Sequence, residues 1–173
     1  NISGSGVMGY ISIPNINVEL PIYHGTSEGV LQIASGHIQG SSLPVGGAST
    51  HSVISGHRGL PSAKLFSDLD KMVEGDTFTI NVLNEVLTYE VEKILIILPD
   101  ELDKLAIVPG ADKVTLMTCT PYGINTHRLL IRAHRIDTIY DKSIKVSADA
   151  LQIDTMTVIP IVLIPLLILL IIY

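Results

Sequence analysis

Cys119, the one cysteine of this 173-residue chain, carries its most reactive side chain. It closes the run Lys113-Val114-Thr115-Leu116-Met117-Thr118-Cys119 and is followed at once by Thr120-Pro121-Tyr122-Gly123, so it stands where a strand-like stretch gives way to a turn. Such a place exposes the sulfur at a rim while the strand holds its backbone, which suits a nucleophile. An isolated cysteine is equally a small apolar side chain that packs well inside a core, and both readings stand at this point. A single cysteine can form no internal disulfide and cannot supply a structural zinc site.

Thiol catalysis needs a neighbour that takes and returns a proton, and histidine is the side chain whose ordinary pKa suits that exchange. Six are available, at positions 24, 37, 51, 57, 127 and 134. His57 lies in Ser55-Gly56-His57-Arg58-Gly59, directly after a strand-like stretch, with glycines on both sides that permit an exposed turn. Taken alone it is a surface turn histidine. Acyl transfer also needs a donor for the oxyanion that grows on the carbonyl. Arg128 opens the strand-like stretch after the Pro-Tyr-Gly turn, and pairing of residues 113–119 with 128–136 as a hairpin would bring it beside Cys119. Taken alone it is a solvated strand-edge charge. His37 and His51 flank a Gly/Ser-rich stretch and are read as structural, and His127 should face away from Arg128, because neighbours on a strand alternate. No two histidines have the close helical spacing of a zinc site, so neither a metal nor a cofactor is expected.

The elements that must position these groups are short and β-rich. Residues 10–13, 18–23, 51–55, 76–83, 86–98, 113–118 and 128–136 read as strands separated by turn residues, the spacing of a barrel or sandwich. Alternation is clearest in Thr77-Phe78-Thr79-Ile80-Asn81-Val82 and Leu87-Thr88-Tyr89-Glu90-Val91, which predicts half-buried antiparallel strands. Helical spacing is confined to residues 27–34 and 63–72, expected as short connectors on the barrel surface. Residues 36–50 and the Pro121-Tyr122-Gly123 segment read as loops.

Thr115-Leu116-Met117-Thr118-Cys119 with Arg128 further on resembles the sortase signature Thr-Leu-x-Thr-Cys followed by an Arg, and Ser55-Gly56-His57-Arg58 resembles that family's histidine motif. The similarity continues through Gly9-Tyr10-Ile11-Ser12-Ile13-Pro14, Ser42-Leu43-Pro44-Val45-Gly46-Gly47, residues 57–70 and residues 119–132. It is greatest to the pilus-assembling class C type, in His57-Arg58-Gly59-Leu60-Pro61-Ser62-Ala63-Lys64-Leu65-Phe66 and Thr118-Cys119-Thr120-Pro121-Tyr122-Gly123-Ile124-Asn125-Thr126-His127-Arg128. The resemblance implies a mainly β fold, an eight-stranded barrel with short connecting helices, in an exported enzyme of Gram-positive bacteria. It implies that Cys119 attacks the Thr-Gly bond of an LPXTG-like sorting signal and that an amine resolves the acyl-enzyme, in pilus-type enzymes a lysine of the next pilin subunit. His57 would be general acid and base, and Arg128 would orient substrate and stabilise the oxyanion. Leu116, Thr118 and Thr120 are expected to bind substrate, the last through its backbone N–H as a second oxyanion donor. Class C enzymes usually carry an N-terminal lid with an Asp-Pro-aromatic motif, and no Asp-Pro pair occurs here, so an open Cys119 is expected.

Three other readings remain in view. A housekeeping-type sortase would attach proteins to the cell wall, with a cell-wall precursor as the amine. A cysteine protease would resolve the acyl-enzyme with water, but papain-like proteases place the cysteine at a helix start and ahead of the histidine, the reverse of the order here. A non-catalytic wall-binding or pilin-docking module on the same barrel would have no need of Cys119 beside His57 and Arg128.

A net charge of -6 without a basic stripe argues against nucleic acid as partner. The opening Asn1-Ile2-Ser3-Gly4-Ser5-Gly6 has neither a charged segment nor a continuous apolar run and is not read as a secretory leader. Residues 156–173 carry no charge; as a helix they would reach roughly 27 Å, against a hydrocarbon thickness of about 30 Å. Pro160 and Pro165 interrupt that run, which membrane helices tolerate where other groups satisfy the freed carbonyls. The expected organisation is therefore a catalytic barrel over residues 1–141, a juxtamembrane linker over 142–155 and a C-terminal membrane anchor, cut short, over 156–173.

Overall fold

The structure, a computed structural model, describes residues 6–60 and 64–138. Eight strands close into a barrel: β1 (Val7–Ile13), β2 (Val18–His24), β3 (Ser35–His37), β4 (Thr50–Ser55), β5 (Thr77–Val82), β6 (Glu85–Ile97), β7 (Asp112–Thr120) and β8 (His127–Ile136). Their order around the barrel is β1-β2-β3-β4-β7-β8-β6-β5. Two of the pairings, β2 with β3 and β4 with β7, are parallel, and the others are antiparallel. Closure removes the unpaired edges that an open sheet would present.

The predicted alternation fills the interior. Ile11 and Ile13 of β1, Phe78 and Ile80 of β5, Leu87, Tyr89 and Val91 of β6, Val114 and Leu116 of β7, and Leu129, Ile131 and Ala133 of β8 form one buried cluster. Each is an every-second-residue position of its strand, the periodicity that sends side chains to one face. Tyr89 stacks on Phe78 with ring centroids 5.7 Å apart, and its hydroxyl donates to Asp112 Oδ1 at 3.1 Å. Burial, reinforced by the Asp112 carboxylate, pushes the Tyr89 phenol far up, so it stays a neutral donor.

All seven expected strands are present with ends moved by a few residues, and the eighth, β3, overlaps the start of the stretch read as a loop. It spans three residues, Ser-Gly-His, too short and too polar for an alternation signal. It is a strand because β2 and β4 lie on either side of it and its polar groups are satisfied locally. Ser35 Oγ donates to Pro21 O at 2.8 Å, and His37 Nε2 lies 2.9 Å from Ser42 O.

The helical expectations need correction. Residues 27–34 yield one α-helical turn, α1 (Glu28–Leu31), and residues 64–72 yield turns and a single 3-10 turn, Leu69–Lys71. The apolar spacing of Leu65, Phe66, Leu69 and Met72 reflects burial of all four against the barrel, achieved without a continuous helix. No helix among the described residues is long and apolar enough to cross a membrane. The expected linker and anchor, residues 142–173, lie outside the described residues.

Candidate active site

β7 and β8 form an antiparallel pair whose register sets Cys119 directly opposite Arg128. Residues facing each other across such a pair stand on the same face, with Cβ atoms roughly 4.5–5.5 Å apart. Proximity of these two is thus a property of strand register. β7 runs one residue past Cys119 to Thr120, so the nucleophile candidate is held within the ladder and not in the turn itself. It is partly exposed. Arg128 Nη1 donates to Asn125 O and His127 O, each at 3.1 Å, which braces the guanidinium on the turn between β7 and β8.

The third residue arrives from the other side of β7. β4 runs parallel to β7 with Ser55 opposite Met117, and the chain keeps that alignment one step further: Gly56 N donates to Met117 O at 3.1 Å. Thr118 Oγ1 returns a bond to Gly56 O at 2.8 Å. These two bonds hold the turn that carries His57 at the end of β7 that carries Cys119. β4, β7 and β8 thus bring the His57 turn, Cys119 and Arg128 to one end of the barrel. The backbone of His57 is fixed further by Phe66 N, which donates to His57 O at 3.1 Å.

Gly56 is required at this point, because a Cβ there would lie 2.6 Å from Cδ2 and 2.8 Å from Cγ of the Phe66 ring, itself fully buried. The ring has nowhere to swing. Gly56→Ala is expected to lower stability by about 1–3 kcal/mol, the usual cost of overpacking. It should show as a lower urea midpoint at unchanged slope. A wild-type midpoint would mean that this contact relaxes without cost.

Of the expected substrate-binding residues, Leu116 is wholly enclosed in the core, so it shapes the site from beneath. Thr118 is buried with its hydroxyl committed to Gly56, and Thr120 ends β7 opposite His127, nearly buried. His37 and His51 are buried and hydrogen-bonded, in agreement with the structural reading. His51 places Nδ1 3.1 Å from Ala106 O and Nε2 2.7 Å from Thr115 Oγ1. Burial is the main reason its pKa lies below the usual value.

Several contributors have no signature in the sequence. Glu28 Oε2 lies 3.5 Å from His57 Nε2, across 29 positions of chain. Arg58 pairs with Asp70 and lies with its guanidinium carbon 5.7 Å from the Tyr122 ring centroid, which ties the His57 turn to the turn after Cys119. At the other end of the same face, Glu92 meets Lys113, Arg132 and, at 3.7 Å, His134. Burial alone would raise the Glu92 carboxyl, but Lys113 and Arg132 outweigh it and hold it below its ordinary value. Among the described residues no group of His, Cys, Asp and Glu is arranged to hold a metal ion.

Residues 11–136 match the sortase domain model. The chain belongs to the sortase family. Among solved structures it is similar to sortase C1 from Streptococcus agalactiae, 61% identical with a TM-score of 0.79 over 80% of this chain and 72% of that one. It is also similar to sortase C-1 from Actinomyces oris, 51% identical with a TM-score of 0.76 over 77% of this chain and 76% of that one. Among curated relatives, sortase A of Streptococcus agalactiae serotype III (strain NEM316) is 29% identical over 130 residues, 73% of this chain and 52% of the relative. The chain spans little more than half the length of that sortase. The closed eight-stranded barrel is the sortase fold, and its resemblance within the family is to class C.

Proposed function

We propose that this sortase is the catalytic domain of a pilus-assembling cysteine transpeptidase acting on an LPXTG-like sorting signal. The observation that supports the reading is strand register: β8 sets Arg128 opposite Cys119, and the pairing of β4 with β7 brings the His57 turn to the same end of β7. Sγ of Cys119 attacks the Thr carbonyl carbon; a C–S bond forms, and the carbonyl oxygen takes up negative charge facing Arg128 and the backbone N–H of Thr120. The C–N bond to Gly then breaks as His57 delivers a proton to the departing amine. In the second half an amine nitrogen, in this reading a pilin lysine, attacks the thioester. His57 takes its proton, the C–S bond breaks, and Sγ is released as thiolate beside the protonated imidazole. No step requires a cofactor.

Incubation with sorting-signal peptides of varied sequence, with and without a lysine-bearing acceptor, followed by mass analysis, tests the reading. It predicts Thr–Gly cleavage and a new amide to the lysine. Hydrolysis alone in the presence of acceptor would favour the protease, and transfer only to a cell-wall precursor amine would favour the housekeeping type.

The same reading places the enzyme on the outer face of a Gram-positive membrane, held by residues 156–173. The uncharged length of that run supports it. Protein carrying the run should sediment with membranes and resist high-salt extraction, whereas a chain stopped near Asp154 should be soluble and active. Free solubility of the longer form without detergent would end the anchor assignment.

A further inference from the structure

His57 lies between two neighbours of different kinds: the thiol strand on one side and a carboxylate on the other. We propose that Glu28 is a positioning residue for His57, holding the imidazole as the tautomer that carries hydrogen on Nε2 and leaving Nδ1 as the nitrogen that exchanges protons during acyl transfer. The inference rests on the roles given to Cys119 and His57 under Proposed function.

Three observations carry it. Glu28 Oε2 lies 3.5 Å from His57 Nε2, so a carboxylate, which can only accept, faces that ring nitrogen. A neutral imidazole has one donor and one acceptor nitrogen, and the partner of one decides the state of the other. Secondly, the carboxylate is itself oriented: Gln32 Nε2 donates to Glu28 Oε1 at 3.1 Å, leaving Oε2 for the histidine. Thirdly, both partners stand on a fixed backbone. Leu31 N donates to Ser27 O at 3.0 Å and Ala34 N to Val30 O at 2.9 Å, closing the turn that bears Glu28. His57 is held from both sides by Gly56 N to Met117 O and Phe66 N to His57 O.

The charged group next along the chain does not compete, because Arg58 is engaged with Asp70. A carboxylate behind a catalytic or metal-binding histidine is a general way of selecting tautomer and ring orientation. Glu28 is 70% exposed and His57 28%, so the effect is bounded by what a solvated pair contributes.

The experiment compares Glu28→Ala with Glu28→Gln, whose amide oxygen can still accept from Nε2–H although the charge is gone. In Glu28→Ala kcat should fall about threefold to tenfold with KM unchanged, and in Glu28→Gln kcat should stay within about twofold of wild type. Nitrogen-15 spectra of the His57 ring, recorded on a Cys119→Ala background so that no thiolate–imidazolium pair forms and the ring can be observed neutral, should show the Nε2–H tautomer with Glu28 and with Glu28→Gln, and a mixture of tautomers with Glu28→Ala. Wild-type kcat in Glu28→Ala overturns the proposal, as do equal losses in both variants or an Nδ1–H tautomer of the neutral His57 ring when Glu28 is intact. His57→Ala and Cys119→Ala serve as controls: turnover surviving in either would sink the catalytic reading, while the ring spectra report on Glu28 independently of activity.

Discussion

Cys119→Ala is expected to abolish both peptide cleavage and amide formation, lowering turnover by about four orders of magnitude or more, the scale on which loss of a covalent nucleophile acts. Each half of the proposed reaction makes or breaks a bond to this sulfur, and the sequence contains no second thiol. Folding is not at stake, since the side chain is partly exposed on a strand whose ladder runs through the backbone. Steady-state peptide cleavage by the purified variant is the measurement. Appreciable residual turnover would mean that some other group, or water alone, attacks the carbonyl.

Arg128→Lys should cost about a hundredfold in kcat, the scale of removing one oxyanion donor. One Arg128 nitrogen, Nη1, is already spent on the carbonyls of Asn125 and His127. Those bonds orient the planar group. A lysine ammonium is a point charge on a flexible stem and cannot brace itself on the turn and hold an oxyanion with separate, fixed donors. The charge is kept in this variant, so its kinetics isolate geometry from electrostatics. Wild-type kcat would return Arg128 to the solvated surface.

The fold was legible in the sequence wherever one face of a strand meets the core. In residues 77–82 and 87–91 every second side chain is apolar because the barrel interior takes every second side chain, and the strands lie where the pattern places them. β3 was invisible because a strand of Ser, Gly and His owes its conformation to its two neighbours. The helical reading of residues 63–72 failed for a related reason. Burial of Leu65, Phe66, Leu69 and Met72 produces helical spacing, but periodicity reports which residues are covered, not the path the chain takes between them.

The candidate site was legible by motif and local geometry to different degrees. Cys119 and Arg128 follow from a hairpin that the Pro-Tyr-Gly turn announces, and register makes their meeting a local property. The His57 turn reaches the Cys119 end of β7 only through the parallel pairing of β4 with β7, two strands far apart in sequence, and without the family resemblance no local signal would have joined them. Glu28, Asp70 and Tyr122 contribute through contacts across distant segments, which spacing along the chain does not encode.

The most direct test of the central claim is the intact mass of the enzyme after brief exposure to a sorting-signal peptide in the absence of an amine. Formation of a thioester predicts a covalent adduct equal to the peptide through its Thr, located on Cys119 by fragmentation. Addition of a lysine-bearing acceptor should discharge it, with the amide product appearing in step. Peptide cleavage with no adduct at any time, or an adduct that maps to a residue other than Cys119, would contradict the account.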